Sequence, residues 1–256
     1  MHLKKEDITR LEIEFDSGSV PPPFSHTFKI RVGFEKGFVN TQLEITYTHR
    51  EGLTEEEILD EGFTMNDDFQ YKGELPKVWE EPLKELYAST RWSNKKYLGD
   101  EGGIKVLAKD LHGKIARGIP ANNEDWQHMA QDFIQAVYEI SNRELPLNLQ
   151  YYVNTKEEGE LFYDLKMKFA TRKVDLEING QKKEADFEAT KHMLGFVYLP
   201  DYDYELAKEA KPTKRGHYIN LGDGFWHEFG KGIFNLDDSF DAVSKIKSGF
   251  RKLNQP

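Results

Sequence analysis

Cysteine is absent from this chain of 256 residues. That excludes disulfides, thiolate metal sites and cysteine nucleophiles together, and it leaves the redox compartment unspecified. No run of about 18 apolar residues occurs, so no transmembrane helix is expected. The start, Met1-His2-Leu3-Lys4-Lys5-Glu6-Asp7, turns acidic before an apolar run can begin, which argues against a signal peptide and makes cytoplasmic residence the expectation. An excess of positive charge is missing as well. The 35 basic and 45 acidic side chains give a formal charge of −10. Residues 1–100 carry 13 basic and 20 acidic groups, so phosphate backbones would be repelled there. The one basic cluster read from the sequence, Lys245, Lys247, Arg251 and Lys252, matches what the macrodipole favours late in a helix. Nucleic acid is therefore not the expected partner.

What is present is a strong aromatic complement, 17 Phe and 12 Tyr within a 13% aromatic content, under a mean hydropathy of −0.71. A real core beneath a polar surface follows, and a wholly disordered chain is excluded. Leu11–Phe15, Phe28–Phe34 and Val39–Tyr47 alternate with period two and predict an antiparallel meander with one wet face. Thr54-Glu55-Glu56-Glu57 is a capping box opening a short acidic helix to about Asp60. A second helix is predicted over Pro76–Ser89, with Pro76 at its first position. The glycine-bearing polar stretch 93–103 marks the expected boundary between regions 1–98 and 99–256, with one continuous domain as the alternative.

Beyond it, Ile104–Ala108 and Gly113–Arg117 suggest a hairpin. Trp126, Ala130, Phe133, Val137 and Ile140 define the strongest helix, over 124–141. Strands follow from Leu147 and from Leu161, and Asn179-Gly180 predicts a two-residue turn with Glu177 facing Lys182. The return strand is expected to run to about Glu188, and Glu205–Lys211 as a short helix. A final helix bears Phe240, Val243, Ile246, Phe250 and Leu253, with Asp237 or Asp238 near its start. No repeat is visible. About ten antiparallel strands with four or five helices in mixed order predict an α+β fold, mainly antiparallel sheet.

No P-loop, nucleophile elbow, zinc-protease or dinucleotide fingerprint occurs, and no cofactor is expected. Asp201, Asp203 and Glu205 alternate as a calcium loop begins, but the glycine and the final Glu such a loop needs are missing. His128 and Asp132, four apart on the strong helix, are a weak candidate metal pair. His26, beside three prolines, has no evident partner.

The richest stretch runs from Gly216 to Gly232, with five glycines, four aromatics, two histidines and two carboxylates. Two registers are open to it. A three-residue Gly222-Asp223-Gly224 loop sets Ile219 opposite His227 and puts both histidines on one face, with Tyr218, Trp226 and Glu228 on the other. A two-residue turn scatters the apolar residues, so the longer loop is expected. The candidate catalytic residues are then His217, His227, Asp223 and Glu228, and the candidate ligand- or partner-binding residues are Tyr218, Trp226 and Phe225. Two functions compete. The favoured one is a non-catalytic binding or protein-interaction module presenting an exposed aromatic hairpin, its partner a protein or a small molecule. The alternative is a metal-assisted hydrolase using the histidines with Asp223 or Glu228. A structural subunit, including a homo-oligomer, is a third.

Overall fold

The N-terminal strands β1 (Ile8–Asp16), β2 (His26–Phe34) and β3 (Phe38–Tyr47) pair antiparallel in sequence order, Ile13 opposite Ile30 and Ile30 opposite Leu43. Their alternation buries Leu11, Ile13, Phe28, Ile30 and Val32 on one face. On the other, Glu12 meets Arg10, Lys29 and Arg31. The computed structural model describes residues 2–254.

After β3, Thr54 caps helix α1 (Glu55–Asp60) through the expected reciprocal box, with Glu57 accepting from the Thr54 amide at 2.8 Å. Strand β4 (Phe69–Pro76) then adds to the outside of β3. Pro76 therefore ends a strand and does not open a helix. Its ψ of 143° is extended, and helix α2 (Glu80–Ser89) begins only after a short 3₁₀ turn, Lys77–Trp79. Pro82 explains the shift. In a helix begun at Pro76 it would interrupt the interior, whereas here it falls in the first turn, where no amide is missed.

Strand β5 (Gly103–Asp110) pairs with the free side of β1, and β6 (Ile115–Gly118) with β5, giving the order β4-β3-β2-β1-β5-β6. Helix α3 (Asn123–Ile140) carries buried Trp126, Phe133 and Val137, and Trp126 donates its indole N–H to the Thr90 hydroxyl at 2.9 Å. Ile140 departs from the expected stripe: as the last residue of the helix it is exposed.

The chain divides into two compact units, Met1–Glu144 and Leu145–Pro256. The stretch 93–103 is accordingly a surface loop within the first unit. A cut there would strip β5 from β1.

The second unit repeats the antiparallel theme. Strands β7 (Leu147–Thr155), β8 (Gly159–Lys168), β9 (Lys173–Ile178) and β10 (Gln181–Lys183) are sequential neighbours, with Glu177 opposite Lys182 across the Asn179-Gly180 turn. The return strand is much shorter than expected, because Asp186 caps helix α4 (Phe187–Gly195) by accepting from the Ala189 amide at 2.8 Å. Strand β11 (Asp201–Tyr202) pairs later with β14 (Ile233–Phe234). Residues 205–211 form no helix; Lys208 makes a two-way backbone bridge to Trp226 instead. Strands β12 (Gly216–Asn220) and β13 (Trp226–Glu228) complete the sheet order β10-β9-β8-β7-β12-β13. Helix α5 (Ala242–Leu253) is capped by Asp241, whose carboxylate accepts from Ser244, and not by Asp237 or Asp238. Helices α4 and α5 close one sheet face over Tyr151, Tyr163, Leu165, Ile219, Ile246 and Phe250.

The fold is thus α+β, with two six-stranded antiparallel sheets, a two-stranded one and five helices among the described residues. No helix among them is long and apolar enough to cross a membrane.

Candidate functional site

The hairpin β12–β13 has the register that segregates its faces. Ile219 pairs with His227, Asn220 with Trp226 and Tyr218 with Glu228. The connection needs its glycines: Gly222 and Gly224 have φ of 94° and 90°, conformations that favour a residue without Cβ. Asp223 between them accepts from the Phe225 amide and from the Tyr204 hydroxyl, both at 2.9 Å. With period-two alternation, both histidines project to the face carrying Ile219.

Sharing a face does not give them a shared environment. His217 meets Tyr151, whose hydroxyl lies 2.6 Å from its Nδ1. Burial drives the Tyr151 phenol well above its ordinary range and lowers His217, Lys247 adding to the latter. A neutral imidazole therefore accepts from a protonated phenol, which leaves the other ring proton on Nε2, 3.8 Å from Glu158. Glu158 accepts from Arg251 of α5 at 2.7 Å, and that bond holds its carboxyl below the usual carboxylate range. Phe250 stacks on Tyr151 with centroids 4.2 Å apart. Tyr163, pushed up to about 12 by burial, packs on the same ring. The arrangement ties the β7–β8 turn, β12 and α5 together, with its phenol sealed from solvent.

His227 is only 1% exposed and is flanked edge-on by Tyr202 and Tyr204. Neither ring nitrogen makes a hydrogen bond of good geometry among the described residues, although the Asp203 backbone comes close enough to favour the charged ring. Burial lowers its pKa, against the nearby Asp223 and Asp203, which favour the charged form. Of the candidate carboxylates, Asp223 approaches His227 through Tyr204. Glu228 projects to the opposite face and is held by Lys231 at 2.7 Å. The two imidazoles and two carboxylates are therefore distributed over three neighbourhoods. On α3, His128 is exposed and Asp132 buried. No group of three or more metal-ligating side chains occurs among the described residues.

The outer face of the hairpin is not the exposed aromatic surface expected from sequence. Tyr218 and Trp226 retain only 7% and 6% exposure, because Tyr152 and Phe162 pack beside them and the Lys208 bridge brings the chain over Trp226. Phe225 is partly buried against Tyr204. A cavity of about 260 Å³ remains, lined by Tyr218 and Trp226 together with Lys208, Lys211, Lys214 and Lys231. Lys211 lies 3.7 Å over the Phe162 ring. Glu228, the one carboxylate in the lining, is occupied by Lys231.

Sequence reasoning found the aromatic pair but not the lysines. Lys208, Lys211, Lys214 and Arg215 fall within eight residues, a density that was readable, yet only the Lys208–Trp226 bridge shows that they overhang the hairpin. Comparisons with known protein families, curated proteins and solved structures returned no match, so function is argued from these residues themselves.

Proposed function

We propose that the protein is a non-catalytic binding module that takes a small anionic ligand in the cavity beside Tyr218 and Trp226. One observation carries this reading: Lys208, Lys211 and Lys214 line a cavity with an aromatic wall in a chain whose formal charge is −10, the fourth lysine, Lys231, being paired with Glu228. Ammonium groups supply long-range attraction and charge-assisted hydrogen bonds, while the rings favour a ligand with a flat apolar part. The binding partner is a small molecule and not nucleic acid, since the acidic surface elsewhere would oppose an extended polyanion. Cytoplasmic residence accompanies this reading.

The hydrolase alternative requires the two histidines to act together, and their separate surroundings give it no geometric support. One probe tests both. Isothermal titration with 4-nitrophenyl phosphate should show saturable binding without release of nitrophenolate. Lys208→Glu with Lys214→Glu should weaken it about tenfold or more, each tenfold being 1.4 kcal/mol. Absence of binding, or binding indifferent to the lysine changes, would sink the proposal. Steady nitrophenolate release abolished by His217→Ala would replace it with the enzyme.

A further inference from the structure

The first unit contains a concavity of its own that no local sequence pattern signals. Two adjoining cavities of about 240 and 440 Å³ share Phe15, His26, Tyr47 and Gln127. One extends beneath α3 toward Gln131 and Tyr138, the other outward past Phe24 and Phe63. Their walls come from the end of β1, the start of β2, the end of β3 and one side of α3.

The rings are fixed relative to one another. Phe15 stacks on Phe28 at 4.8 Å, and His26 lies 5.2 Å from Phe15 and 5.6 Å from Tyr47. The His26 Nδ1 is 2.9 Å from the Phe24 carbonyl and so must carry the proton in the neutral ring, leaving Nε2 as an acceptor. Phe63 packs edge-on against both Phe24 and Tyr47. Arg50 braces this wall from behind: it donates to the Pro23 carbonyl, the Thr64 carbonyl and Asp67, with its guanidinium 4.1 Å over Tyr47.

Polar groups line the cleft beside these rings. They are the carboxamides of Gln127 and Gln131, one helical turn apart, with Gln131 exposed, and the hydroxyls of Tyr47 and Tyr138. Together with the His26 ring they offer both donors and acceptors. Glu101 is the single carboxylate in the lining, and no lysine or arginine lines either part. Two guanidiniums lie against the lining rings, Arg50 4.1 Å over Tyr47 and Arg143 5.4 Å over Tyr138, and Arg50 is held by Asp67.

We infer that this cleft binds an uncharged planar heterocycle with donor and acceptor edges, of the nucleobase kind, as the free base or nucleoside and not as the nucleotide. Fixed rings supply stacking surfaces, and paired carboxamides read hydrogen-bonding edges as they do elsewhere in base recognition. A phosphate would meet Glu101 with no lysine or arginine in the lining to donate to it. This site shares no lining residue with the lysine cavity, so the two can be tested independently.

The test is ligand-observed NMR and isothermal titration of the full chain against the common nucleobases, their nucleosides and the matching 5′-monophosphates. At least one base or nucleoside should bind with a Kd below about 1 mM, and its monophosphate at least about tenfold more weakly. Gln127→Leu with Gln131→Leu should reduce the affinity about tenfold or more, because the ligand's buried polar edge is then unpaired. An unchanged circular dichroism spectrum is expected of the variant. Trp226→Phe should leave this binding intact, which separates its failure from failure at the lysine cavity. The inference is overturned if no base or nucleoside binds, if the monophosphate binds as well or better, or if the glutamine variant binds unchanged.

Discussion

The two units are built to one plan and finished differently. In each, four sequential antiparallel strands are followed by a helix, a fifth strand added beside the first, a sixth beside the fifth, and a closing helix: β4-β3-β2-β1-β5-β6 in one unit, β10-β9-β8-β7-β12-β13 in the other. Both fifth strands open on a glycine of positive φ, Gly103 and Gly216, and the next residue pairs with the outer end of the first strand, Ile104 with Phe15 and His217 with Val153. At this corner the first unit leaves rings and carboxamides around a cleft. The second fills it with Tyr151, His217, Glu158 and Arg251 and puts its concavity on the opposite sheet face. A shared topology thus fixes where a site can form without fixing whether one does.

The largest expected effects test whether the units are separate bodies energetically. Phe133 and Phe250 are fully buried aromatics on the closing helices of the two units. Replacing either with Ala should cost about 3–5 kcal/mol, the range for large core side chains. By native-state hydrogen exchange, Phe133→Ala should release amides of β1–β6 while β7–β9 keep their protection, and Phe250→Ala the reverse. Loss of protection in both units from one substitution would show a single cooperative body and break the comparison.

A smaller contrast sharpens the hairpin. Both glycines flanking Asp223 have positive φ, so Ala at either pays the strain of that conformation, about 1–2 kcal/mol. At Gly224 a Cβ would meet nothing within 4 Å, whereas at Gly222 it would lie 2.4 Å from the Asn148 carbonyl oxygen of β7. Urea denaturation should therefore rank Gly222→Ala clearly below Gly224→Ala. Equal losses would mean that the loop is free to move away from β7.

Much of this was legible in local pattern. Period-two alternation placed β1–β3 and β7–β9, the Thr54 box placed α1, and segregation of apolar residues selected the Ile219–His227 register. What escaped depended on contacts distant in sequence. Strand β4 was missed because Phe69–Pro76 is mostly exposed or half-exposed on an edge, with Leu75 its one buried residue. Helix α4 was announced by Asp186 and by Phe187, Thr190, Met193 and Leu194, but the Asn179-Gly180 turn suggested a longer return strand. The aromatic cleft assembles Phe15, His26, Tyr47 and Gln127 from four elements, and no local signal links them. The division of the chain was sought in glycine content, whereas it falls between Glu144 and Leu145, just before Pro146.

The smallest effect is expected at His227, one of the two histidines that one hairpin face carries. His217→Leu leaves the sealed Tyr151 hydroxyl without its partner and should cost about 1–3 kcal/mol. His227→Leu removes two buried nitrogens that make no well-formed hydrogen bond and have only a loose approach to the Asp203 backbone, so stability should change little. The pH dependence follows from direction alone. Burial lowers both imidazoles, so the unfolded chain takes up protons first: the wild-type protein should be fully stable above the ordinary histidine range, about 6.5, and lose stability as pH falls below it. Glu158, held low by Arg251, extends the loss into the carboxylate range, where its stabilising contribution disappears on protonation. Urea midpoints measured from neutral to mildly acid pH should therefore fall less steeply for His227→Leu than for wild type. A His227→Leu variant that is severely destabilised at neutral pH, with an unchanged acid slope, would mean that the ring makes a neutral-state contact outweighing its unsatisfied nitrogens, and the contrast between the two histidines would collapse.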